Sequence, residues 1–289
     1  MIKYDTKSWS GVIFSYKGTS LRTILPRLTF IVYWALALEA YSLYVTKLPK
    51  IEPLGHNLLG MALGLLLVFR NNSSYDRYWE GRKAWGTIIN ACRNMSRLGA
   101  MYTTSGADLA KLISAYVRAL KNHLRGEYSE EELAKYMSAE KLAQISKSDN
   151  VPVSLGFWLS SWVHEQKIKG LPINHVVVME AQVSEMLNNQ GVCERILNTP
   201  IPFCHAAHIS QLLFIYLMTL PIVLISVAGW MGVVASGIIS FGLMGIESAG
   251  VEIEDPFGTD PNDLPLDDFC DTIERDANFF AGMTENIHR

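Results

Sequence analysis

Residues 212–246 read LLFIYLMTLPIVLISVAGWMGVVASGIISFGLMGI, 35 positions without one charged side chain. As a single helix this run would extend roughly 50 Å, whereas the hydrocarbon core of a bilayer is about 30 Å thick and is crossed by ~20 residues. The run must therefore fold back. Gly229-Trp230-Met231-Gly232 supplies a tight turn at its centre, which predicts two antiparallel spanning helices over residues 204–228 and 231–248. The first is expected to open after Pro200 and Pro202 and to bend at Pro221, because proline is tolerated at a helix start and disruptive inside.

Working outward, residues 28–46 make a further span. It carries one charge, Glu39, and is edged by Tyr33, Trp34, Tyr41 and Tyr44, amphipathic rings suited to a headgroup belt. A fourth segment, residues 51–69, is more polar at its start (Glu52, Pro53, His56, Asn57) and rich in glycine, with Gly60 and Gly64 in a GxxxG spacing that lets helices approach closely in lipid. Such a segment suits the inside of an assembly better than a lipid face.

The composition agrees with a membrane protein: 49% of the 289 residues are hydrophobic and 18% are charged, with a mean hydropathy of +0.15. A net charge of -3, with Lys and Arg spread along the chain, argues against nucleic acid as a partner. Cys92, Cys193, Cys204 and Cys270 show no metal-ligand spacing and read as free thiols. The N-terminus has no apolar run followed by a small-residue cleavage site, so no removed signal peptide is expected.

Four spans place both termini on one side. Lys3, Lys7, Lys17, Arg22 and Arg27 precede the first span, residues 70–195 carry most of the remaining basic charge, and the turn at Gly229 has none. By the positive-inside rule both termini and the central region are cytoplasmic, with Lys47 and Lys50 running against the trend in the short outer connection. The central region, residues 70–203, and the tail, residues 249–289, read as helical, continuous with the spans and without a linker. Leu109, Leu112, Ile113, Tyr116, Val117, Leu120 and Leu124 recur at helical spacing up to Gly126, and Ser129 with Glu132 forms a capping box. Trp158, Leu159 and Trp162 mark another helix and residues 176–196 a longer one. No strand alternation and no Ser/His/Asp, Walker or dinucleotide pattern appears, so the chain is not expected to be an enzyme.

Three motifs occur in order along the chain. They are FRNNSSYDRYWEGRKAWG at 69–86; Cys193-Glu194-Arg195-Ile196 followed by Thr199-Pro200-Ile201-Pro202-Phe203; and Glu252-Ile253-Glu254-Asp255-Pro256-Phe257-Gly258-Thr259-Asp260-Pro261-Asn262-Asp263-Leu264-Pro265. Together they resemble the prokaryotic bestrophins over nearly the whole chain. The resemblance implies an all-α integral membrane subunit with four transmembrane helices, assembled as a homopentamer around a central pore with a large cytosolic vestibule. It also implies passive conduction of small monovalent ions, chloride by analogy with animal and plant relatives and cations as the other possibility, in a bacterial inner (plasma) membrane.

Met61, Leu65 and Phe69 stand at i, i+4 and i+8, on one helix face, and match the three positions of the family's hydrophobic neck. Five copies would make three apolar rings, a constriction that excludes ions by dewetting unless it widens. Family members often carry aromatic or isoleucine rings there, and Met61 and Leu65 are more flexible. The alternative is an ordinary core stripe. Counting back from Cys193 points to Asn174, with its neighbour Ile173, as the family's second, cytosolic constriction. Glu252, Asp255, Asp260 and Asp263 match the calcium clasp of animal bestrophins, with Asp255 offering its backbone carbonyl; a solvated acidic turn is the alternative, and no cofactor is required. Two other readings stay open: a transporter or sensor subunit using Glu39 and His56, and a metalloprotein in which His205 and His208 ligate a metal with Glu194 or Cys204.

Overall fold

The structure is a computed structural model that describes residues 9–16 and 18–287. Lys3, Lys7 and Lys17, three of the charges that orient the chain, lie outside the described residues, as do the last two positions of the tail. No strand occurs among the described residues, and the chain is all-helical. In order the helices are α1 (Trp9–Ile13), α2 (Leu21–Tyr44), α3 (Leu54–Tyr102), α4 (Gly106–Leu124), α5 (Glu130–Leu133), α6 (Ala139–Ile145), α7 (Val151–Ile168), α8 (Ile173–Asn198), α9 (Phe203–Ala228), α10 (Trp230–Glu252) and α11 (Leu266–Ile287). They form two compact units, one built from residues up to Tyr78 with α9 and α10, the other from Trp79–Thr199 with Pro256–Thr259 and the C-terminal helix.

In the first unit α10 packs against α2 and α9. Among the described residues three helices, α2, α9 and α10, are long and apolar enough to cross a membrane by length and composition. The run at 212–246 folds back at Gly229, which has φ 54° and ψ -129° and donates its N–H to the Ile225 carbonyl at 2.9 Å. That backbone conformation is open essentially to glycine alone. Gly232, in the next turn, lies so close to α9 that a Cβ would sit 2.5 Å from the Leu224 carbonyl carbon. The expected Pro200 and Pro202 start is observed, with Pro202 preceding Phe203 and Pro221 inside α9. Ile24, Ile31, Leu63, Leu67, Ile209, Leu213, Leu217 and Leu220 fill the core. Tyr33, Tyr41 and Tyr44 are exposed as a belt residue should be, but Trp34 turns inward and donates Nε1–H to the Met218 carbonyl at 3.1 Å.

α3 begins at Leu54 and does not stop at Phe69; it continues to Tyr102, 49 residues or about 74 Å. Its apolar run, residues 58–69, is flanked by His56 and Asn57 on one side and Arg70 and Asn71 on the other, too short a stretch to match the bilayer alone. Of the GxxxG pair, Gly60 receives Tyr216, whose hydroxyl oxygen would lie 2.7 Å from an added Cβ, and Gly64 has nothing within 4 Å.

The second unit packs α4 between α11 and α7, with α8 on α7. Trp85, Ile88, Met95, Leu109, Ile113, Tyr116 and Leu120 are fully buried, and the Tyr116 hydroxyl donates toward the Met186 carbonyl and Gln190 Oε1, both at 3.1 Å. α4 ends as its spacing predicts, at Gly126 with φ 66°. The capping box forms by half. Ser129 accepts the Glu132 N–H at 3.2 Å, but the Glu132 carboxylate does not return to Ser129; it accepts from Asn122 at 2.8 Å and from Lys121 at 3.1 Å. Charge-assisted partners outbid a cap on a helix of four residues.

Candidate pore-lining face

The unit-one part of α3 has two unlike faces. Leu63, Leu67, Arg70 and Ser74 are buried, at helical spacing along one side. Met61, Leu65 and Phe69 lie on the opposite side, 74%, 56% and 55% exposed. They are not a core stripe of the protomer. The same exposed arc carries Asn57 and Leu58 above them and Asn72 and Asp76 below, so an apolar stretch is set between polar ends.

Behind this face the helix is tied down. Arg70 lies 3.4 Å from Glu247 and 3.6 Å from Glu254 of the α10 end, and Arg27 of α2 lies 3.7 Å from the same Glu247. Asn71 donates Nδ2–H to the Ile246 carbonyl at 3.2 Å, and Arg77 donates Nε–H to the Glu254 carbonyl at 3.0 Å. Gly250 faces Asn71 so closely that a Cβ would lie 2.0 Å from its Oδ1. The C-terminal turns of α10 are thus fastened to α3 directly below Phe69.

In the second unit Ile173 is the first residue of α8, exposed beside exposed Asn174, and the next residue, His175, stacks on Tyr102 with ring centroids 3.9 Å apart. Pro256 and Phe257 pack onto α3 at Gly81, with Phe257 fully buried. Of the acidic motif, Glu252 and Asp260 line one cavity of about 550 Å³ with Tyr16, Gly18, Thr19 and Arg22. Glu252 Oε1 accepts from Asn262 Nδ2, which also donates to the Gly18 carbonyl, both at 2.9 Å. Asp255 is exposed, and Asp263 is buried in the second unit. Among the described residues no three His, Cys, Asp or Glu side chains gather as a metal site. Calcium takes about 6–8 oxygen ligands. The two carboxylates on this cavity suit a hard cation, and backbone carbonyls would have to complete the set.

Glu39 is buried near the α9–α10 turn, its Oε1 3.6 Å from where a Gly229 Cβ would be. His56 stacks on Tyr216 at 4.2 Å. His205 and His208 stand exposed one turn apart at the start of α9, while Glu194 is engaged by Asn150 and Gln190 at 2.9 and 2.8 Å. The cysteines are free thiols, and burial pushes Cys193 and Cys270 up to about 12, so neither presents a thiolate at neutral pH.

The model of the bacterial and fungal bestrophin proteins matches residues 1–278. The chain belongs to this family. It is 35% identical to a voltage-dependent anion channel-forming protein of Nostoc sp., across 97% of this chain and 94% of that one. It is 30% identical to the Escherichia coli K12 protein of the same description, across 96% and 92%. The crystal structure of a bacterial bestrophin homologue from Klebsiella pneumoniae superposes with a TM-score of 0.86 at 27% identity, covering 90% of this chain and 98% of that one. With a bestrophin fold and, among the described residues, three helices of spanning length, the chain is an integral membrane protein. The Nostoc and Escherichia coli relatives are described as anion channel-forming proteins, and the family points to a channel, not an enzyme. The cluster of buried Arg70 and Glu247 with half-buried Glu254 escaped the sequence reading; its signal is a charge, Arg70 or Glu247, placed directly after an uncharged run.

Proposed function

We propose that the chain is one subunit of a homopentameric channel that passes small monovalent ions passively, anions among them, through a pore whose neck is formed by Met61, Leu65 and Phe69. Residues 51–69 form the fourth span of each subunit, and both termini face the cytoplasm of a bacterial inner membrane. The observation that carries this reading is the exposure of the three neck side chains on the face opposite the packed one. Leaving three large apolar side chains in water would cost roughly 5–9 kcal/mol, so the face must be covered or must line a passage that sheds water. A lipid contact is disfavoured because the same arc runs on into Asn72 and Asp76. Neighbouring subunits around an axis satisfy both halves of the face, with apolar rings at the neck and polar rings below. Gly64, open in the protomer, is then free to meet a neighbour.

Anion passage rests on the likeness to the anion channel-forming proteins of Nostoc and Escherichia coli, since apolar rings by themselves separate ion signs poorly. Ile173 and Asn174 form the second constriction of this reading. Calcium is held on the cavity of Glu252 and Asp260 with the Asp255 carbonyl, and supplies positive charge beside α10. Calorimetric calcium binding unchanged in Glu252→Gln/Asp260→Ala would remove that part. The whole reading is tested by purified protein in liposomes: native mass of the complex, then flux and reversal potential under asymmetric salt. A monomer or dimer, or flux that requires a coupling ion, rejects it.

A further inference from the structure

The second unit contains a cavity of about 440 Å³ lined by none of the residues proposed above for the ion path. Its wall is assembled from the start of α4, the turn after α5, α6 and α7. Lys111, Lys135, Lys141 and Lys169 border it, set against Asp108 and Glu165. None of these four ammonium groups takes part in an ion pair among the described residues. The wall therefore keeps an unneutralised positive excess in one small volume, drawn from three stretches of the chain.

Trp158, Trp162 and Tyr136 form the apolar part of the same wall. Lys141 Nζ lies 5.0 Å from the centroid of the Trp158 ring, so a cation is already held against an aromatic face at the rim. Two wall residues also carry unused hydrogen-bond capacity. Trp162 Nε1 and Gln166 Nε2 are buried nitrogens with no partner among the described residues, in side chains only 5% and 3% exposed. Buried donors in proteins are satisfied as a rule, and leaving one unmade costs about 1–3 kcal/mol. Both groups are donors that call for an acceptor, as the lysines do. The Gln166 amide sits on a flexible stem and can turn its donors to an occupant.

We propose that this cavity binds a small organic anion with a phosphate or carboxylate headgroup and a planar ring. The lysines take the charged head, the Trp158 face takes the ring, and the volume fits a mononucleotide-sized molecule. Binding of this kind ties α4, α6 and α7 together, and it does not depend on whether the protein conducts ions.

The test is calorimetric titration of the purified full-length protein in detergent with three probes: adenosine monophosphate, phthalate and inorganic phosphate. Saturable binding is expected for one or both ring-bearing anions, with inorganic phosphate at least tenfold weaker. Affinity is expected to fall as salt is raised, because the headgroup contact is between charges near solvent. Lys135→Ala/Lys141→Ala, two exposed positions, is expected to weaken binding tenfold or more while the native mass and melting temperature stay unchanged. Trp158→Phe, which keeps a ring, is expected to bind more tightly than Trp158→Ala. Adenosine monophosphate against phthalate decides between the two headgroups. The proposal is overturned by no saturable binding of any probe, by inorganic phosphate binding as tightly as the ring-bearing anions, or by binding that the lysine pair does not alter.

Discussion

The Arg70 guanidinium lies 3.4 Å from the Glu247 carboxylate, both groups buried, one residue along α3 from the neck position Phe69. A buried ion pair contributes little net stability against an apolar pair of similar size, but removing one partner strands a charge at a cost of about 3–5 kcal/mol. Arg70→Met is therefore expected to lower stability by about that amount. Arg70→Met/Glu247→Leu should recover most of the loss. Denaturant titration of the two variants beside the parent checks this; equal losses in both would mean that the pair acts through packing and not through its charge.

The hairpin between α9 and α10 rests on close backbone approach at Gly232. Its added Cβ would meet Leu224 and Ile225 main-chain atoms at 2.5 and 2.6 Å, and backbone cannot rotate aside. Gly232→Ala is expected to destabilise by more than the 1–3 kcal/mol typical of overpacking and to reduce the yield of folded protein. Gly242→Ala, in the same helix with nothing within 4 Å, should leave yield and melting temperature near the parent values.

These two sites differ in how openly they are written in the sequence. Gly229 and Gly232 sit in a run with no charge that is too long for one span, so chain length and hydrocarbon thickness together demand a turn there. The pair of Arg70 and Glu247 joins residues 177 positions apart, and no local pattern links them. Periodicity puts Met61, Leu65 and Phe69 on one face but cannot say whether that face is packed or open; only the burial of Leu63 and Leu67 opposite decides it. Likewise the capping box at Ser129 is a local signal, and the pull of Lys121 and Asn122 on Glu132 is a tertiary one. The lysines of the second-unit cavity come from three separate stretches, near 111, 135–141 and 169, and become a cluster only on folding.

In the second unit the charged seam between α4 and α11 predicts an acid limit. Burial pushes the Glu132 and Asp267 carboxyls up, but hydrogen bonds from Asn122 and Lys121 to the first, and from Arg125 and Lys121 to the second, outweigh it, and both end below their ordinary values of 4.5 and 3.8. A carboxyl lowered on folding contributes stability that is complete above its unfolded value and is lost as pH falls through its folded one. The contribution of this pair to the melting temperature is therefore expected to be complete above about pH 5 and to decline below about pH 4. Glu132→Gln/Asp267→Asn should melt lower at neutral pH and lose less on acidification. A parallel decline in parent and variant would assign the acid limit to other carboxylates.

The neck decides whether the pattern along α3 is the pattern of a pore. An ion that passes Met61, Leu65 and Phe69 gives up hydration with no polar group in exchange, because the polar residues of that face, Asn57 before Met61 and Asn72 and Asp76 after Phe69, lie outside the neck. Shortening the rings widens the passage and lets water stay with the ion. Leu65→Ala and Phe69→Ala are therefore expected to raise single-channel conductance or open probability several-fold with little change in ion preference. In the protomer these side chains are exposed and fill no internal space, so the melting temperature should fall by less than for Leu63→Ala or Leu67→Ala, whose buried side chains leave cavities costing about 2–5 kcal/mol. The two pairs thus separate along different axes, conductance for the exposed face and stability for the buried one. Planar-bilayer recordings and thermal melts on all four variants read both. An assembled Met61→Ala/Leu65→Ala/Phe69→Ala protein with parental flux would place the ion path elsewhere.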